Sequence, residues 1–152
     1  MQGKRIIIAS DHAGYQMKSY LIDLLNREGY TVIDLGPKDE TPVDYPDGAA
    51  AVARGLFRQE ADLGILICGT GIGMSIAANR YNHIRGALVF TPEMAALARQ
   101  HNDANVLILG GRTTSLETAA ACVRSFLTTS FENGRHANRV AKLGSMNHDF
   151  NT

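Results

Sequence analysis

An uninterrupted apolar run, Leu63-Gly64-Ile65-Leu66-Ile67-Cys68, passes directly into Gly69-Thr70-Gly71-Ile72-Gly73, and a helical pattern takes over at Met74. A strand of consecutive apolar, β-branched-rich residues has no polar face to turn to water. It must be covered on both sides, as a central strand of a parallel sheet is. Such a strand delivers its last residue, Cys68, to the carboxyl edge of the sheet, where open α/β sheets keep their ligand sites. Glycines at alternate positions then let the backbone approach a ligand closely and aim several N–H groups at one point. A helix starting there adds positive potential that suits an anion and equally a thiolate. The segment is expected to set a reactive thiol beside an oxyanion or phosphate cradle.

The rest of the chain alternates in the same way. Arg5 to Ser10 reads as a buried strand, and Met17, Leu21, Leu24 and Leu25 mark one face of the helix after it, with Gly29 placed to end it. Thr31 to Leu35 is a second strand closed by Gly36-Pro37, and a polar loop, Lys38 to Tyr45, leads to a helix that Pro46 opens and that runs to about Arg58. The third strand is Leu63 to Cys68, its helix extending to about Asn82, and Gly86 to Phe90 is the fourth. Thr91-Pro92-Glu93 supplies a cap, a first-turn proline and a first-turn acid for a helix from Met94 to Arg99 that ends near His101-Asn102-Asp103. Val106 to Leu109 is the fifth strand, stopped by Gly110-Gly111-Arg112. Ser115 caps a helix through Leu127, and a last helical stretch runs from Arg135 to about Leu143. Five strands separated by helices call for an α/β fold with a mostly parallel sheet covered on both faces. One domain over residues 1–152 accounts for the whole chain, and the polar residues 144–152 read as a loose tail.

Composition excludes several function classes. Fifteen acidic and fifteen basic residues balance, which gives no electrostatic bias toward nucleic acid or an anionic membrane. Cys68 and Cys122 fall in different elements and form no CxxC, so a reducing, intracellular setting is the simple reading. The apolar stretch behind Lys4-Arg5 is too short for a signal peptide, and no segment approaches the about 18 apolar residues of a membrane span. A cytoplasmic protein is expected.

The carboxyl-edge rule gathers Asp11 and His12 after strand one, Cys68 to Gly73 after strand three, and Arg112 after strand five. It does not place His101, Asn102 and Asp103. Asp11-His12 reads either as turn chemistry or as a polar pair at the site. Cys68 is either an inert core thiol or the reactive group, whereas Cys122 within Ala119-Ala120-Ala121-Cys122-Val123 reads as core. Arg135 and Arg139 stand at i and i+4 and are either a solvated basic face or a phosphate clamp. The glycine loop is GxGxG rather than GxGxxG, no Walker lysine follows, and no acid closes the next strand, which weakens dinucleotide binding. His12, His83, His101, His136 and His148 show no close ligand spacing, so no metal is expected.

Together these residues resemble the type B ribose-5-phosphate isomerase family, from Ile6 to about Leu143. The resemblance is carried by Ser10-Asp11-His12-Ala13-Gly14, Asp44-Tyr45-Pro46, Ile67-Cys68-Gly69-Thr70-Gly71-Ile72-Gly73, Arg99-Gln100-His101-Asn102-Asp103, Gly110-Gly111-Arg112 and Gly134-Arg135-His136 with Arg139. It implies a Rossmann-like three-layer α/β/α sandwich, a homodimer or homotetramer, and cofactor-free interconversion of ribose 5-phosphate and ribulose 5-phosphate in the pentose phosphate pathway. Under it, Cys68 is the base that carries a proton between C2 and C1, and the Gly69, Thr70, Gly71, Ile72 and Gly73 segment holds the enediolate charge. His101 helps open the furanose ring. Asp11 bonds sugar hydroxyls, His12, Arg112, Arg135 and Arg139 grip phosphate, and Asn102 and Tyr45 line the sugar path. The C-terminal arginines reach into the partner's site, so that dimerisation completes the pocket.

Two rival readings accompany this one. Galactose-6-phosphate isomerase is built from two related chains that divide the functional residues, whereas here Cys68, His101, Arg112, Arg135 and Arg139 share one chain; activity on allose 6-phosphate is the other hexose possibility. A non-catalytic sugar-phosphate-binding module needs the arginines and the glycine loop but neither Cys68 nor His101.

Overall fold

The apolar runs become strands and the amphipathic stretches become helices, as a computed structural model describing residues 3–146 makes clear. The elements are β1 (Arg5–Ser10), a 3-10 turn (His12–Gly14), α1 (Tyr15–Arg27), β2 (Thr31–Asp34), α2 (Tyr45–Phe57), β3 (Leu63–Cys68) and α3 (Ile72–Ala78). They continue with β4 (Gly86–Leu88), α4 (Pro92–Asn102), β5 (Val106–Gly110), α5 (Leu116–Thr128), a second 3-10 turn (Gly134–His136) and α6 (Ala137–Gly144). The strands form one sheet in the order β2-β1-β3-β5-β4, and every pairing is parallel.

Strand alternation divides the core into two layers. Ile6, Ile8, Ile65, Ile67, Leu107 and Leu109 face α1, α4 and α5, packing on Met17, Leu21, Leu25, Ala95 and Phe126. Ile7, Ala9, Leu66, Cys68, Val106 and Ile108 face α2 and α3, against Val52, Ala53 and Met74. The result is a Rossmann-like α/β/α sandwich. Each buried Ile or Leu stabilises the fold by about 1.5–3 kcal/mol. A one-residue register slip in β3 would move Cys68 to the other layer. The most deeply buried charge among the described residues is that of Lys18. Lys18 is 1% exposed, its ammonium 2.9 Å from both carboxylate oxygens of Asp34 and 5.3 Å from the Tyr15 ring centroid.

Several boundaries differ from the expected ones, each for a local reason. Helix α3 starts at Ile72 and stops at Ala78, short of Asn82. The Asn79 side chain donates to the carbonyls of Ser75 and Gly86 and accepts from the Gly86 N–H, tying the helix end to β4. Helix α4 is longer than Met94–Arg99. Thr91 Oγ1 accepts from the Met94 N–H at its start, and Asp103, with φ 46°, closes it after Asn102. Strand β2 ends at Asp34 and β4 at Leu88, although the Val89 N–H still donates to the Ile108 carbonyl, and β5 takes in Gly110. The last helix begins at Ala137, because Asn133 and Gly134, both at positive φ, throw Arg135 onto a 3-10 turn. Of the expected tail, residues 147–152 lie outside the described residues.

Candidate active site

Strand order reverses direction at β1, whose neighbours β2 and β3 lie on either side, so the carboxyl ends of β1 and β3 flank a switch point of the kind that holds ligands in open α/β sheets. Asp11 leaves β1 there. Its N–H donates to the Ile67 carbonyl, and its Oδ1 accepts from the Gly14 N–H at 3.1 Å, so the turn role read from sequence is real for that oxygen. His12 follows, and its Nδ1 accepts from the Val43 N–H at 3.3 Å. A neutral His12 ring therefore carries its proton on Nε2.

Cys68 ends β3 and is buried. Its carbonyl accepts from the Gly111 N–H at 2.7 Å and the Gly69 carbonyl accepts from the Arg112 N–H at 2.8 Å, stitching the loop after β3 to the loop after β5. The Arg112 side chain lies across Gly69: a Cβ there would stand 3.5 Å from Arg112 Nη1. Arg112 and His12 line one cavity of about 450 Å³ with Gln16, Glu40 and Ser115. Gly71 has φ +79°, and any side chain there would strike Leu88. Gly73 lies under the Tyr45 ring, which leaves 2.7 Å for an added Cβ. Thr70 Oγ1 accepts from the Ile72 N–H at 3.2 Å. That bond occupies the Ile72 amide and leaves the Thr70 hydroxyl proton available to a ligand.

A second group forms around α4. His101, Asn102, Arg135, Arg139, Val140 and Leu143 line a cavity of about 500 Å³ with His136. The turn bearing His101 is braced: Arg99 donates to the carbonyls of Ala104 and Thr129, pairs with Asp103 at 3.0 Å and lies 5.7 Å from the Phe126 ring centroid. His101 stacks on His136 with ring centroids 4.3 Å apart and planes inclined by 15°. His136 is 7% exposed. Burial first, then His101 and Arg135, hold its imidazole below the ordinary proton affinity of histidine, against a smaller opposing pull from Glu132. The sequence places His136 in the Gly134-Arg135-His136 motif but assigns it no role, because its partner His101 is distant in the chain.

The two groups sit at opposite edges of the sheet. Helix α4 runs back from the carboxyl edge, so Asn102 comes just before Asn105, whose carbonyl receives the Gly64 N–H at the start of β3. Cys68 pairs with Gly110 at the other end of the same two strands. The strand between them spans about 13 Å, so His101 and Cys68 of one chain do not meet. One edge brings together Asp11, His12, Tyr45, Cys68 to Gly73 and Arg112, and the other His101, Asn102, Arg135 and Arg139.

Among the described residues, His101, Glu132 and His136 have metal-ligand chemistry, their donor atoms within 4.8 Å of one another. Near-parallel stacked rings keep their lone pairs from converging, and Arg135 Nε donates toward His136 Nε2 at 3.4 Å. With Arg139 in the same cavity, the cluster suits an anion better than a cation. Cys122 lies in α5 with its thiol pushed up to about 11, chiefly by burial, which keeps it un-ionised and inert at neutral pH. Among the described residues no helix is long and apolar enough to cross a membrane.

Known proteins share this fold. The Ribose/Galactose Isomerase family profile matches residues 6–143. Ribose-5-phosphate isomerase B of Escherichia coli K12 is 43% identical over 140 residues, 92% of this chain and 94% of that protein. The crystal structure of a ribose 5-phosphate isomerase from Thermotoga maritima superposes with a TM-score of 0.94 at 48% identity, covering 95% of this chain and all of the other. Ribose-5-phosphate isomerase B of Mycoplasma genitalium, solved with bound ribulose-5-phosphate, gives a TM-score of 0.89 at 41% identity, covering 95% of this chain and 97% of that one. With its parallel sheet, its glycine-flanked Cys68 and these relatives, the chain belongs to the ribose/galactose isomerase family.

Proposed function

We propose that the protein is an aldose–ketose isomerase that interconverts D-ribose 5-phosphate and D-ribulose 5-phosphate as a homodimer, or a pair of dimers, with composite sites. The observation that carries this reading is Cys68 at the end of β3, with the Gly69–Gly73 loop on one side and Arg112 folded across Gly69. In the open-chain aldose, Cys68 as thiolate takes the C2 proton. The C2–H electron pair forms the C1–C2 double bond, and the carbonyl pair moves to O1. The Thr70 hydroxyl and the loop amides hold that charge. Return of the proton at C1, with the O2 proton passing to O1, completes the ketose. The substrate neither gains nor loses electrons overall, so the step uses no redox cofactor.

His12 and Arg112 bind phosphate at one end of the sugar, and Asp11 and Tyr45 line its path. Remote phosphate contacts position the reacting carbons. His101, Asn102, Arg135 and Arg139 come from the other subunit. Three observations support this assembly: the residues occupy opposite sheet edges, α6 buries none of its own residues, and Ile72, Ile76, Phe90, Met94 and Leu97 are exposed apolar side chains. The protein acts as one domain, in the cytoplasm. The test is an assay of the purified protein, with a chelator present, on ribose 5-phosphate, allose 6-phosphate and galactose 6-phosphate. Turnover of the pentose at the highest kcat/KM is expected, and turnover of a hexose alone would overturn the pentose assignment.

A further inference from the structure

His136 has no part in the chemistry just described, yet it is one of few polar side chains the fold buries. Its neighbours Arg135 and Ala137 are exposed. Its ring lies flat against His101 at 4.3 Å. The segment that carries it is anchored beside the same histidine, because the Glu132 N–H donates to the carbonyl of Gln100 at 3.1 Å. We infer that His136 is a positioning residue for ring opening, a stacked platform that fixes the plane of the His101 imidazole; the inference rests on the role of His101 in the isomerisation proposed above.

Ring opening shows why a platform matters. The C1–O4 bond breaks as C1=O1 forms, and the proton lost by the O1 hydroxyl has to end on O4. A single imidazole beside both oxygens accepts the first proton and returns one to O4. Its ring plane must then contain both transfers, within hydrogen-bond reach of each oxygen. The terminal torsion of a histidine is broad and roughly two-fold. A His101 held only by its own helix would sweep through many unproductive planes. Stacking on His136 removes that freedom in the free enzyme, so the ordering need not be supplied when substrate binds.

The surroundings of His136 suit this task. Arg135 Nε donates toward its Nε2 at 3.4 Å, and the carboxylate of Glu132 is 3.8 Å from the same nitrogen. A ring that accepts at Nε2 is neutral, with its proton on Nδ1. A neutral platform can stay in contact while His101 gains and loses a proton, where a second imidazolium would push it away.

The test compares His136→Leu with His136→Phe: both fill the buried site with an apolar group, and Phe alone keeps a flat face. Two rates are read on the purified full-length protein. One is the kcat for conversion of ribose 5-phosphate. The other is exchange of the C1 hydrogen of ribulose 5-phosphate with solvent deuterium, followed by NMR, which needs Cys68 and the glycine loop but no ring step. His136→Leu is expected to lower kcat about tenfold or more with exchange within about twofold of wild type, and His136→Phe to recover most of the kcat. Loss of both rates together in His136→Leu would overturn the inference in favour of a merely structural role. So would an unchanged kcat, or a Phe variant as slow as the Leu variant. A wild-type protein inactive in both assays refutes the isomerase reading itself, a result distinct from any of these.

Discussion

Two inactive forms of this chain should make an active enzyme when their subunits mix. Cys68→Ala removes the proposed base and His101→Asn the proposed ring-opening group, so each homodimer has two defective sites. Because Cys68 and His101 lie at opposite edges of one sheet, about 13 Å of strand apart, each site of the proposed dimer takes the thiol from one subunit and the imidazole from the other. In a mixed dimer, the Cys68 of the His101→Asn chain faces the His101 of the Cys68→Ala chain. One site is whole, and the other lacks both groups. Random pairing of equal amounts gives about half mixed dimers with one good site in two, or about one quarter of wild-type activity per chain. The assay is ribulose 5-phosphate formation after the variants are co-refolded from urea, against each variant refolded alone. A mixture no faster than the sum of the separate variants would refute the composite site, because a site contained within one chain cannot be repaired by mixing.

Three further outcomes follow from particular contacts. Cys68→Ala should lower kcat by roughly 10²- to 10⁴-fold and leave ribose 5-phosphate binding, measured by calorimetry, almost unchanged; retained turnover would remove Cys68 as the base. Asp34→Ala strands the buried Lys18 ammonium, and urea denaturation should show a loss of about 3 kcal/mol, which Lys18→Met in the same background should largely relieve; an unshifted midpoint would mean that the pair contributes nothing. The third concerns pH. Folded His136 binds its proton less readily than the unfolded residue, whose ordinary value is 6.5. Above that pH both states are neutral and the shift has no effect on stability. Below it the unfolded chain takes up the proton first, so native stability falls as the medium is acidified. Wild-type Tm should therefore drop relative to that of His136→Phe between about pH 7 and pH 5, and parallel Tm curves would contradict the assignment.

The sheet was legible in the sequence because a strand buried on both faces announces itself: Ile6-Ile7-Ile8, Ile65-Leu66-Ile67 and Leu107-Ile108-Leu109 have no other place to go. The carboxyl-edge group was legible for the same reason, since the residue after such a strand has one destination. Element ends were less so. Asn79 stops α3 with its side chain, and Asp103 stops α4 in a left-handed conformation; neither device changes the hydrophobic period that sequence reading follows. The place of His101 was missed for that reason. An α4 that continues through Asn102 carries His101 to the amino edge of the sheet. The His101–His136 stack was hidden because it joins a helix end to a turn far along the chain, which no local pattern records.

The bond from the Val43 N–H to His12 Nδ1 ties the proposed phosphate grip to the loop that carries Val43. With Nδ1 engaged as an acceptor, the ring meets a ligand with a single donor, Nε2–H, while Arg112 supplies charge. The same lone pair ties the segment between Gly36 and Asp44 to the end of the first strand, so a substitution that removes the proposed phosphate donor at His12 also unlatches this crossover.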